Sequence, residues 1–177
     1  MMISFRGTLL LPLAMTALSA SSAIAQSLDD AAIAHVAVTA NQLDITGAEQ
    51  ALSKSSNPEV RQFAETMIRD HTGVIEQAAA LAARLGVTPL DNDVSTALTA
   101  NAADVRARLA SMTSAAFDRA YVENEVAYHE AVIAAVEETL VPNTSNAELR
   151  KLLSSVVPAL RAHLEHARSL RQKLGEL

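Results

Sequence analysis

The sequence predicts an all-α fold, a four-helix bundle with one shorter crossover helix, and three observations carry that reading. Beyond residue 25 the chain is dominated by Ala and Leu, and no stretch shows the period-two alternation of a strand. Apolar residues instead recur at helical spacing, as in Val60, Ala64, Met67, His71, Val74, Ala78, Leu81 and Leu85. Start and stop signals separate the periodic segments, and the middle connection is the longest, as in bundles with one crossover.

Taken in order, the first 25 residues read as an export leader: Arg6 as a short basic start, an apolar run from Thr8 to Ala20, then the small-x-small site Ala23-Ile24-Ala25. Cleavage after Ala25 would leave residues 26–177 as the mature bundle domain and place it in the periplasm or otherwise outside the cytoplasm. The run is shorter than the roughly 20 residues a membrane-spanning helix needs, and no later stretch approaches that length.

The first helix spans about Asp29 to Lys54 and ends in the polar cluster Ser55-Ser56-Asn57. Asn57-Pro58-Glu59 then sets a cap, a proline at the first helical position and an acid facing the helix dipole, opening a second helix that stops at Gly86. Val94, Leu98, Val105, Leu109 and Met112 keep helical spacing in the stretch Thr88 to Thr113, the crossover helix. A third long helix covers about Ser114 to Leu140 and is broken at Pro142-Asn143-Thr144. Ser145-Asn146-Ala147-Glu148 fits a capping box for the fourth, in which Pro158 is expected to bend the axis before His163. The expected core comprises Phe63, Met67, Val74, Leu81, Val122, Val132, Leu153, Val156, Leu160 and Leu170.

The chain carries 14 basic and 20 acidic residues, a formal charge of −6, and loses one further positive charge with Arg6. It therefore offers no basic surface to nucleic acid or to anionic lipid. It has no cysteine, which excludes disulfides, thiolate ligands and a lipid-modified cysteine. No serine stands in a nucleophile elbow and no Gly-rich phosphate loop is present, so no catalytic residue is assigned.

Three of the five histidines sit where a helix would place leucine. His71 lies on the stripe given above, His163 on Leu149, Leu153, Val156, Leu160, Ala167 and Leu170, and His129 on the third helix with Val122, Val132 and Val136. An imidazole buried without partners costs about 1–3 kcal/mol against a net stability of roughly 5–15 kcal/mol, so something must compensate three of them. A shared metal ion, a buried polar network or a solvent-filled cleft would each do so. Glu125 lies one turn before His129, a spacing that lets both side chains reach one ion, and Asp44 lies on a stripe of small residues with Ala37, Ala40, Gly47 and Ala51. The candidate metal ligands are His71, His129, His163, Glu125 and Asp44. Asp70 flanks His71 and could orient an imidazole from another helix. His166, between Glu165 and Arg168, reads as a surface residue or a support, and His35 as isolated.

Asn57-Pro58-Glu59-Val60 with Phe63-Ala64 and Met67-Ile68-Arg69-Asp70-His71-Thr72, then Phe117-Asp118-Arg119-Ala120-Tyr121 with His129, then Pro158-Ala159-Leu160-Arg161-Ala162-His163-Leu164, resemble a bacterial family called domain of unknown function 4142. The resemblance implies a ferritin-like fold and export, under the frequent label of outer-membrane protein, with His71, His129 and His163 matching its recurrent histidines. The family often carries Glu where this chain has Asp44. Di-iron ferritins carry Glu-x-x-His on two helices, whereas Ile68 and Leu160 stand three before His71 and His163 here, so a carboxylate-rich ferroxidase centre is not implied. Three imidazoles with one or two carboxylates suit iron, zinc, copper or nickel, among which the sequence does not choose.

The leading expectation is an exported bundle that binds a transition metal in its core, for metal handling or envelope stress. The alternative is a non-catalytic bundle without metal whose surface recruits an envelope protein. An oxidase or peroxide-scavenging site at the same ion is a third reading.

Overall fold

The computed structural model describes residues 28–175, and the expected leader cleavage site lies outside them. Six α-helices follow in order: α1 Asp30–Lys54, α2 Pro58–Leu85, α3 Asp93–Ala110, α4 Ser114–Ala135, the single turn α5 Val141–Asn143, and α6 Ala147–Gly175. A π-helical turn, Val136–Leu140, joins α4 to α5. No strand occurs among the described residues, and no helix there is long and apolar enough to cross a membrane.

The helix ends follow from local chemistry. Asp29 caps α1 by accepting from the Ala32 amide at 2.8 Å. Asn57 caps α2, with Pro58 at its first position, and Gly86 closes it at φ +66°, a left-handed conformation that only glycine adopts without strain. Asn92 and Ser95 form a capping box at the start of α3.

Two ends differ from the sequence reading. The third long helix does not stop before Pro142. It widens into the π turn and runs on to Asn143, because proline has no N–H to continue an α ladder and its ring crowds the carbonyl four residues back. The cap of α6 is Asn146 rather than Ser145: its Oδ1 accepts from the amides of Glu148 at 2.9 Å and Leu149 at 3.0 Å. The Ser145 and Asn146 amides are held instead by the Asp30 carboxylate, each at 2.8 Å. Helix α6 passes unbroken through Pro158.

That Asp30 clasp puts the starts of α1 and α6 at one end of the bundle. Since α1 pairs with α2 and α4 with α6 as hairpins, α2 and α4 run in the same direction and need a connection that returns along the bundle. Helix α3 supplies it, lying on α1, where Gln50 and Lys54 donate to the Arg106 and Ala110 carbonyls. The result is the up-down-down-up order of a ferritin-like bundle.

Of the expected core, Phe63, Met67, Leu81, Val122, Leu153, Leu160 and Leu170 are buried. Val74, Val132 and Val156 are only half-buried, a departure with a common cause: all three face a cavity of about 540 Å³ between the hairpins.

Candidate metal centre

Each of the four bundle helices delivers a polar side chain to the core about midway along its length. Helix α1 brings Asp44, α2 His71, α4 Glu125 with His129 one turn later, and α6 His163, and all five residues are buried. The five candidates from the sequence therefore converge. The imidazole centroids form a triangle of 5.8 Å between His71 and His129, 5.3 Å between His71 and His163, and 5.5 Å between His129 and His163. Each ring offers a nitrogen such that the three lie within 4.8 Å of one another, and Asp44, Glu125 and His129 form a second such group.

Hydrogen bonds fix the tautomer of each ring. His129 Nδ1 lies 2.9 Å from the Glu125 carbonyl oxygen, which can only accept, so Nδ1 carries the proton. The Asn41 amide donates through Nδ2 to the Ala37 carbonyl at 2.8 Å, which turns its Oδ1 toward His71 Nδ1 at 2.7 Å and makes that nitrogen a donor. His163 Nε2 donates to Asp70 Oδ2 at 3.0 Å. The opposite nitrogens, Nε2 of His71, Nε2 of His129 and Nδ1 of His163, then present lone pairs, and all three are buried without a hydrogen-bond partner. Both oxygens of Asp44 and Oε2 of Glu125 are also buried and unpartnered.

The site is thus a cage of acceptors facing acceptors. Asp44 Oδ2 stands 3.3 Å from His71 Nε2 and 3.7 Å from His129 Nε2, and neither contact is a hydrogen bond when both atoms lack a proton. A cation, an added proton or a donor such as water that reaches both acceptors would relieve such an arrangement.

The titration of the groups follows from burial. Burial holds His129 below its ordinary value of 6.5 against the opposing pull of Asp44, and holds His163 below it against the bond to Asp70, so both rings are neutral at neutral pH. Burial, then the charge of Asp44, pushes Glu125 well above the ordinary carboxyl value of 4.5. Asp70 is held low, mainly by its hydrogen bond from Arg69, and stays the anion that His163 requires.

Asp70 sits beside His71 in sequence yet orients the imidazole of α6. Asn41 was not singled out by the sequence reading; its signal is a position three before Asp44, on the same face of α1. Gly47 lies against Glu125, and a methyl group there would make only an ordinary van der Waals contact with its Oε1 at 3.9 Å. Tyr128 donates to the Ala40 carbonyl at 2.7 Å, while the Tyr121 hydroxyl is buried and unpartnered. His35 and His166 lie elsewhere: His35 pairs with Asp91 at 2.6 Å, and His166 packs edge-on to Phe63.

Comparison with known proteins places the family and the fold. A family model described as a domain of unknown function, DUF4142, matches residues 14–170. Among solved structures, a DUF305 fragment from Deinococcus radiodurans superposes with a TM-score of 0.66 at 17% identity, covering 84% of this chain and 97% of that one. CopM in its Cu(II)-bound form superposes at 0.60 with 22% identity, covering 82% and 98%, and CopM in its Cu(I)-bound form at 0.62 with 22% identity, covering 81% and 96%. At such identities the likeness is one of fold. No curated protein sequence matches the chain.

Proposed function

The chain belongs to the DUF4142 family, and from that premise we propose that its core cluster binds one transition-metal ion, in the service of metal handling outside the cytoplasm. His71, His129 and His163 would hold the ion through nitrogen, with Asp44 and Glu125 supplying carboxylate oxygens. One observation carries the reading. Three imidazole lone pairs, both oxygens of Asp44 and Oε2 of Glu125 converge unpartnered, while the far nitrogen of each of these imidazoles is tied to an oxygen acceptor. Ligand histidines are held in this manner, because the outer hydrogen bond fixes the tautomer and aims the lone pair.

The donor set selects the class of ion. Nitrogen and carboxylate oxygen without thiolate suit borderline divalent ions such as zinc, Cu(II), nickel or Fe(II) over magnesium and calcium. Bound there, the ion would supply the positive charge that the acceptor cage lacks. The copper named for the CopM structures is consistent with this class, and the leader-like pattern of residues 1–25 supports the proposed export.

The test is the metal content of untagged protein purified from the periplasm, by mass spectrometry of the elements, together with thermal melting. We expect close to one transition-metal ion per chain. Saturation at about 100 times the dissociation constant should stabilise the fold by about 2.7 kcal/mol. His129→Ala should lose both the ion and the shift. Wild-type protein that binds no transition metal, or a metal-induced shift unchanged in His129→Ala, would sink this reading and favour the interaction module.

A further inference from the structure

The acceptor cage is itself part of the wall of the cavity between the hairpins, and on one side of the cage that wall is wholly apolar. Val74 lies one turn after His71 on α2, Val132 one turn after His129 on α4, and Val156 two turns before His163 on α6. The three valines therefore stand beside the cage, toward the end where α1 and α6 begin. From their level onward, through Ile75, Val136 and Leu153, the lining is alanine, valine, leucine and isoleucine only. His163 and Leu149 both line the cavity, and their separation on α6 corresponds to about 21 Å of helix. Protein interiors leave few voids larger than a water molecule, whereas about 540 Å³ falls in the range of roughly 300–1,000 Å³ typical of small-molecule sites. Ala131 and Ala135 on its rim are exposed, so the space is reachable from solvent.

A metal ion fills the cage but leaves the space beside the valines open, so the whole cavity calls for an occupant with a polar head and an apolar chain. The cage decides the head. Both oxygens of Asp44, Oε2 of Glu125, Nε2 of His71, Nε2 of His129 and Nδ1 of His163 are buried acceptors that bring no proton to one another. An alkylammonium group matches them, with three N–H donors, no acceptor and a positive charge that strengthens each bond. The charge on the wall agrees, since Asp44, Asp70 and Glu125 line the cavity around the rings. Arg106, the one cationic lining residue, lies level with Gln50, on the far side of the cage from the valines.

We propose that the metal-free protein binds a single-chain aliphatic primary amine, its ammonium donating to Asp44 and the imidazole lone pairs and its chain lying along Val74, Val132 and Val156. The amine uses the same cage as the proposed ion but requires no ion, and the two exclude one another there. A quaternary ammonium lacks the N–H donors the cage demands, and an alcohol lacks the charge.

The test is isothermal titration calorimetry of untagged protein, freed of metal by a chelator and dialysed, with octylamine, butylamine, octanol and octyltrimethylammonium. Octylamine is expected to bind one per chain and at least about 50-fold tighter than butylamine, since each added methylene that is buried contributes a factor of about four. It should also bind at least about tenfold tighter than octanol or octyltrimethylammonium. Asp44→Asn, checked for folding by circular dichroism, should weaken octylamine about tenfold or more and thereby remove its advantage over octanol. Val132→Phe should weaken octylamine and octanol alike by filling the space beside the cage. The proposal is overturned if octylamine does not bind, binds no tighter than butylamine or octyltrimethylammonium, binds only after a metal is added, or keeps its full affinity in Asp44→Asn. If Asp44→Asn does not fold, the order of the four wild-type affinities decides. Because the titration is run without metal, its outcome is independent of the metal content measured above.

Discussion

The two halves of the bundle on either side of the histidines are built on the same four helices, yet one is filled and the other is not. Toward the end where α2 and α4 begin, Phe63, Phe117 and Tyr121 interlock, Phe117 stacked on Tyr121 at 5.9 Å and Phe63 edge-on to it at 6.2 Å. Val60, Met67 and Val122 around them have no exposure. Toward the end where α1 and α6 begin, the same stripes carry valine, alanine and leucine, and the half-buried Val74, Val132 and Val156 border open space. The contrast teaches that apolar periodicity fixes which face points inward, whereas the volume on that face decides whether the interior closes. The acceptor cage sits at the seam, with a close-packed floor that holds its rings and an open side that faces the cavity.

The sharpest way to break the comparison is to empty the filled half. Phe63→Ala should cost about 3–5 kcal/mol, because a fully buried ring is removed from a region with no slack to collapse. Chemical denaturation measures it, and a loss below about 1 kcal/mol would mean that this half is no better packed than the other.

A matched pair on α4 sharpens the contrast. Val122→Phe overfills the closed half and should cost about 1–3 kcal/mol, whereas Val132→Phe enters open space and should cost clearly less. Equal losses in parallel melts would show that the cavity closes in solution.

The smallest expected effect lies at the seam and depends on pH. Glu125 in the folded state sits above its usual 4.5, so its contribution is present below that pH and is lost as pH rises toward the folded value. His129 and His163 act oppositely: their folded values lie below 6.5, so their contribution is present above that pH and is lost as pH falls through the folded values. Glu125→Gln removes the first of these opposing trends. The metal-free variant should therefore melt above the metal-free wild type by a margin that grows as pH rises above 4.5 toward the folded value of Glu125. A margin that is constant across that range would show that Glu125 is not held protonated by its burial beside Asp44.

Much of this was legible in the chain. The spacing of apolar residues, Asn57-Pro58 and Gly86 place the helices, because each is a local property of a few turns. The candidates His71, His129 and His163 were legible as polar residues on apolar stripes, and Glu125 as a partner one turn from His129. The cap of α6 was misplaced by one residue because Asp30, more than a hundred positions away, takes the Ser145 amide that a capping box would give to Glu148, while the Glu148 amide goes to Asn146.

By itself, then, the sequence determined the helices, their inward faces and the polar residues interrupting those faces, since periodicity acts through neighbours three and four apart. Only the tertiary structure decided that the four helices bring those interruptions to one level, that Asn41 and Asp70 set the tautomers of His71 and His163, and that three valines of the core stripes border a cavity. Hydrogen-bond partners thirty or ninety-three residues apart, and the volume left between two hairpins, are set by how the helices pack, and no local spacing encodes them.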